Sequence, residues 1–185
     1  EGLSCYGGLD LSDNTDLSAF VLAFPVNGKI KLLVFLYLPE EGIAEREKRD
    51  NAHYRDWAKK GFLTLTPGNF VDYAFIKHDI LEAAKKYDIK EIAFDRYRAS
   101  RLTQELAEEG LNLVMHGQGF ASMHAPSTEF MNLLVAMRIE HGGNEALGWN
   151  AANVVVRKDP AGNIKPDKER SRKRIDGIVA GIMAV

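Results

Sequence analysis

Residues 7–16, GGLDLSDNTD, place Asp10 inside an apolar, strand-like run and set Asp13 and Asp16 just beyond it. A carboxylate in a strand is disfavoured, and it is costly to bury unless a cation, a metal or a proton compensates its charge. Two more acids are similarly set. Asp95 closes the short apolar run EIAFD, and Asp176 lies between the basic run KPDKERSRKR and the apolar IVAGIMAV. Carboxylates supplied by separate elements are hard oxygen ligands for Mg²⁺ or Mn²⁺, with positions left for water and phosphate. Two such ions about 3.5–4 Å apart would activate an attacking water and stabilise the leaving 3′ oxygen of a phosphodiester.

Each acid also has a plainer reading. Asp95, followed by Arg96 and Arg98, fits an ion-paired strand end, and Asp176 fits a charge that complements a helix dipole. Asp13 fits an Asx-turn. Asp16 is either a fourth acid of the cluster, returning on the adjacent strand, or a turn or strand-start residue. Lys165, Lys168, Arg170, Arg172, Lys173 and Arg174 form a cationic strip directly before Asp176. Beside a metal site such a strip would hold DNA phosphates without reading sequence, with Lys168 nearest the scissile one. Its plainer reading is a solvated connector, diluted by Asp167 and Glu169. His53, His78, His116, His124 and His141 show no zinc-ligand spacing. His124, in a Gly-rich loop, is open to a role near the site or to loop packing, and Trp57 and Trp149 are expected as core or edge anchors.

The elements that must position these residues follow from hydrophobic periodicity. Residues 6–12, 16–25 and 29–38 read as three antiparallel strands, with Asn27-Gly28 as a hairpin turn. A charged helix is expected over 43–60, and a helix with one apolar face carrying Phe70, Tyr73, Ile76, Ile80 and Ala84 over about 70–87. Strand 91–95, helix 99–109, strand 111–116, a loop over 117–127, helix 128–141, strand 149–158, a turn at 159–163 and a final apolar helix complete the chain. Such alternation implies parallel strands with helical crossovers. The layout is that of a ribonuclease-H-like α/β fold, a mixed sheet of three antiparallel strands and then parallel strands, with helices on both faces. On it, Asp10 lies in the first, central strand, Asp95 at the C-terminal end of the fourth, and Asp176 early in the last helix.

A chain of 185 residues, 45% hydrophobic, is expected to form one domain over 1–185. The net charge of −2 confines any nucleic-acid surface to a local patch. Cys5 alone excludes an intrachain disulfide framework and a cysteine-rich zinc site. No run of about 20 apolar residues and no signal-peptide pattern is present, so a soluble intracellular protein with no membrane partner is expected. The start at Glu1, without Met, suggests a piece of a longer chain, and no P-loop is present.

GLDLSDNTDLSAFVL, YLPEE, the run from Trp57 to Asn69, IAFDR, GQGF and KPDKERSRKRIDGIVAGIMA together resemble the C-terminal nuclease domain of the large terminase subunit of tailed bacteriophages, over essentially the whole chain. The resemblance implies a metal-dependent endonuclease that cuts concatemeric double-stranded viral DNA during genome packaging in the host-cell cytoplasm. It assigns the metal-binding acids to Asp10, Asp95 and Asp176, and matches Asp16 to an additional acid of some members. It also implies two divalent ions (Mg²⁺ or Mn²⁺), an ATPase domain that precedes the nuclease, and the small terminase subunit and portal as partners. Rival readings are a junction resolvase or transposase, which share the acids, and a non-catalytic DNA-binding assembly module, which would lack one. An actin-like or sugar-kinase ATPase would want a Gly/Thr-rich turn and a second comparable domain.

Overall fold

In the computed structural model, residues 2–12, 16–98 and 101–185 are described, the side chain of Arg98 excepted; the Asx-turn expected at Asp13 and the start of the helix expected at 99 lie outside them. The chain runs β1 (Ser4–Asp10), β2 (Ser18–Val26), β3 (Lys29–Pro39), α1 (Ile43–Asp50), α2 (Tyr54–Lys59), β4 (Thr64–Thr66), α3 (Tyr73–Lys86) and β5 (Asp88–Asp95). A 3₁₀ turn at Arg96–Arg98 leads to α4 (Arg101–Glu108), β6 (Leu113–His116), α5 (Phe120–Val135), β7 (Ile139–Glu140) and α6 (Glu145–Asn153). The hairpin β8 (Val156–Lys158) and β9 (Ile164–Pro166) then precedes α7 (Asp176–Met183).

The main sheet has the order β4-β3-β2-β1-β5-β6, with β7 on β3. β1, β2 and β3 are antiparallel, and β5 and β6 add in parallel beside β1. The Asn27-Gly28 turn forms as expected: both residues take positive φ and Val26 pairs with Lys29 across the two-residue loop. Strand alternation divides the core. Ala19, Val21 and Ala23 of β2 face α7 and the Trp57 side, while Phe20, Leu22 and Phe24 face α3 and α4, where Ile76, Ile80, Leu102 and Leu106 are buried. Helices therefore cover both faces. Among the described residues, no helix is long and apolar enough to cross a membrane.

Four expectations about elements change. The helix expected over 43–60 is two helices, because Asn51 takes φ 49° and its backbone N–H closes on the Glu47 carbonyl, ending α1. Helix 70–87 starts only at Tyr73, where the Asp72 carboxylate accepts from Ala74 N at 2.9 Å; this leaves Phe70 outside the apolar face and exposed. The loop expected over 117–127 is helical from Phe120, with Pro126 inside α5, and that helix ends at Val135 rather than 141. The strand expected over 149–158 is strand only from Val156. Its first half belongs to α6, capped by Asn144 through Leu147 N at 2.9 Å. Trp149 there packs with Tyr54 and Trp57 at ring separations of 5.9 and 5.5 Å, so both tryptophans are anchors of the core, as expected.

Candidate active site

β1 and β5 lie side by side in parallel with Leu9 opposite Phe94, so the next residues, Asp10 and Asp95, share the C-terminal edge of the sheet. Leu9 and Phe94 enter the α3–α4 core, and the period-two alternation turns Asp10 and Asp95 to the opposite face, where α7 packs. Asp176 is the first residue of α7. All three acids are buried, with 1%, 8% and 7% of their surface exposed for Asp10, Asp95 and Asp176.

The Lys168 ammonium joins two of them, 2.6 Å from Asp10 Oδ2 and 3.1 Å from Asp176 Oδ1. Asp10 Oδ1 accepts from Gln118 Nε2 at 3.1 Å. Asp10 Oδ2 is buried, and the Lys168 ammonium is its close partner. Burial pushes the Asp176 carboxyl up to about 6; Asp10 pushes the same way, and Lys168 pulls against both. For Lys168 burial works against the charge, but Asp10 and Asp176 outweigh it and raise its pKa, so the ammonium stays protonated. Asp95 turns to its own chain, accepting from Tyr97 N at 3.1 Å, while Arg96 donates to Tyr97 Oη at 3.0 Å.

The donor set suits a hard divalent cation: oxygen ligands only, and a positive charge already drawn between two carboxylates. Among the described residues, no three His, Cys, Asp or Glu side chains stand close enough together to hold an ion. Lys168 fills the place between Asp10 and Asp176, and Asp95 is engaged by its own turn.

The basic strip divides. A turn holds Lys168, in which buried Asp167 accepts from Glu169 N and Arg170 N at 3.1 and 3.2 Å and Ser171 Oγ donates to the Asp167 carbonyl at 2.6 Å. Arg170 and Arg172 are exposed. Lys165 bonds the Gln118 carbonyl at 3.1 Å, and Lys173 bonds the Arg49 carbonyl. Arg174 grips both oxygens of Asp16 at 2.7 Å. Asp16 thus lines the same cleft as Lys168 and Asp176, about 210 Å³ in volume, but faces an arginine rather than the other acids. A second cleft of about 220 Å³ opens on the other side of Lys168, between Gln118, Lys165 and Glu169.

The start of α7 is fixed from beneath. Asn150, 1% exposed, accepts from Gly177 N at 3.0 Å. Asn150→Ala would leave that N–H buried and unpaired, so a loss of about 1–3 kcal/mol is expected in urea denaturation.

Three features escape sequence reasoning. Gln118 lies in the quoted GQGF, where a polar side chain between two glycines beside a strand end was the available signal. Asp167 looks like a diluting charge yet builds the Lys168 turn. Asp50 is buried among Arg49, Tyr54 and Arg174; burial works against its charge, but hydrogen bonds from Arg49 and Tyr54 hold its carboxyl below the ordinary value. His124 packs structurally, its Nδ1 accepting from Ile164 N at 3.1 Å and tying α5 to β9. His116 pairs opposite Asp95 on β6.

The family model described as "Terminase large subunit, endonuclease domain" matches residues 1–185. The large terminase subunit of Enterobacteria phage HK97 is 40% identical over 183 residues, covering 97% of this chain and 36% of that protein. The crystal structure of the HK97 large terminase superposes with a TM-score of 0.92 at 38% identity, over 100% of this chain and 39% of that one. The large terminase nuclease from thermophilic phage G20c, solved also with bound magnesium, superposes at 0.64 and 0.59. Both structures are 12% identical to this chain and match 98% of it, against 81% and 80% of their own chains. The chain therefore spans little more than a third of the length of its HK97 relative. It has the ribonuclease-H-like fold and belongs to the endonuclease-domain family of terminase large subunits.

Proposed function

We propose that this domain is a divalent-metal-dependent endonuclease that cuts concatemeric double-stranded DNA during phage genome packaging in the host cell. Asp10, Asp95 and Asp176 would be the ligands of two Mg²⁺ or Mn²⁺ ions. The observation that carries the reading is the convergence of three buried carboxylates at one sheet edge, with a cation already drawn between two of them. The magnesium-bound G20c nuclease, a fold relative, is in keeping with it. When bound, the ions would supply a polarised water and neutralise charge on the leaving oxygen.

The chain's own residues do the rest. Gln118 orients Asp10 by its hydrogen bond, and Asn150 fixes the first turn of α7 and so the position of Asp176. Exposed Arg170 and Arg172 offer phosphate contacts that position DNA without reading its sequence. In a protein as long as the HK97 relative, an ATPase domain would precede this one, and the small subunit and portal would be its partners.

Supercoiled plasmid incubated with the domain and Mn²⁺ or Mg²⁺ is expected to be nicked and linearised, and EDTA to stop it. Asp95→Asn is expected to lower the rate at least about 100-fold, since loss of an outer-shell partner alone costs 10–100-fold. Full activity of this variant would overturn the assignment.

A further inference from the structure

We propose that Lys168 is an exchangeable internal cation, which holds Asp10 and Asp176 together in place of a divalent ion and transfers its ammonium to a DNA phosphate when that ion binds. The inference rests on the metal-dependent reading above and goes beyond it, because it makes metal and DNA binding two halves of one exchange.

The ammonium touches one oxygen of each carboxylate, at 2.6 and 3.1 Å, so it occupies the space that these two carboxylates would offer an ion. A divalent ion and an ammonium cannot share that space, since two cations a few ångströms apart in a poorly screened site repel strongly. The lysine has somewhere to go. Its backbone is pinned by the Asp167 turn, its side chain is 40% exposed, and a cleft opens on each side of it. The neighbouring exposed groups, Arg170 and Arg172, are those that would bring a phosphate within its reach. Four rotatable bonds let the ammonium swing without moving the turn. Charge is conserved in the exchange: the carboxylates pass from ammonium to ion, and the ammonium passes from carboxylate to phosphate. Metal should then raise DNA affinity, and DNA should raise metal affinity by the same factor.

The test is Mn²⁺ binding to the DNA-free protein by isothermal titration at pH 8, for wild type, Lys168→Met and Asp10→Asn. Lys168→Met is expected to bind Mn²⁺ about tenfold more tightly or better, the worth of a charge-assisted contact that the ion no longer has to break. Equal or weaker binding overturns the exchange while leaving the metal reading intact. Absence of saturable Mn²⁺ binding in both proteins, or wild-type affinity in Asp10→Asn, overturns both. A second readout needs no variant to be stable without metal. In wild-type protein the Lys168 ammonium, held by two carboxylates, should give a protected ¹⁵N–H signal that disappears at saturating Mg²⁺; persistence of that signal overturns the proposal.

Discussion

Gly8→Ala is expected to leave little stably folded domain at 25 °C. Gly8 lies in β1, two residues before Asp10, where α7 crosses the sheet. A Cβ built there would sit 1.9 Å from the Ala180 carbonyl oxygen, 2.9 Å from the Ala180 carbonyl carbon and 3.1 Å from Ala184 N. All three atoms are backbone, so no rotamer change relieves the clash, and α7 would have to retreat by more than about 1 Å to restore ordinary C···O contact. That helix is buried along its length, from Asp176 to Met183. Overpacking against movable side chains costs about 1–3 kcal/mol. A rigid backbone obstacle should exceed that, against a total stability of about 5–15 kcal/mol for a domain. Urea denaturation is the measurement. Gly7→Ala supplies the contrast: its Cβ would meet side-chain rather than backbone atoms, Ile92 Cγ1 at 2.9 Å and Cβ at 3.3 Å, so a loss that is smaller but still substantial is expected. Ala180→Gly should not rescue Gly8→Ala, because the obstructing atom is the peptide oxygen. A Gly8→Ala protein with the wild-type urea midpoint would mean that α7 is not seated on β1 as described.

The same close approach marks the boundary of what is legible in the sequence. Apolar periodicity and turn residues place Asp10 in a strand, Asp95 at a strand end and Asp176 early in a helix, because each depends on a few neighbours in the chain; that Asp10 closes its strand and Asp176 is the first helical residue is seen only in the structure. The parallel pairing of β1 with β5 follows from the alternation of helix and strand, and it brings the three acids to one edge. Partners are another matter. Asp16 is bound by Arg174, 158 residues away, and nothing near Asp16 in the chain distinguishes a metal ligand from one half of that ion pair. Gln118 reaches Asp10 across 108 residues. The helices misjudged in extent fail for a local reason. GQGF and Pro126 carry turn-type residues, yet α5 runs through the proline, its inner face filled by Met123, Phe130 and Leu133. At WNAANVVV the β-branched run draws the strand too far upstream, whereas the Asn144 cap and the Trp149 contact with Trp57 commit its first half to α6.

Asp176→Asn is expected to abolish cleavage, at least about 100-fold, while leaving the metal-free domain as stable as wild type or more stable above pH 6. On the role proposed for Asp176 the two effects have opposite signs, because the carboxylate then serves a bound ion rather than the fold. Its pKa is raised from 3.8 to about 6 by burial, with Asp10 adding to the shift and Lys168 opposing it. A carboxyl whose folded pKa is raised binds its proton more tightly in the folded state. Its contribution to stability is therefore full below the unfolded value of 3.8 and is lost as pH rises to about 6. Asparagine keeps the shape and takes no charge, so the variant avoids that loss but gives up the contact with Lys168, whose ammonium retains Asp10. The melting temperature of Asp176→Asn relative to wild type, in EDTA, is thus expected to climb between pH 4 and pH 6.5 and then level off. Saturating Mn²⁺ should reverse the order, raising the wild type and leaving the variant nearly unchanged, because only the wild type keeps the full set of oxygen ligands. A variant that loses stability in EDTA throughout this range would make Asp176 a structural ion-pair partner of Lys168, and would remove the reason for placing a metal beside it.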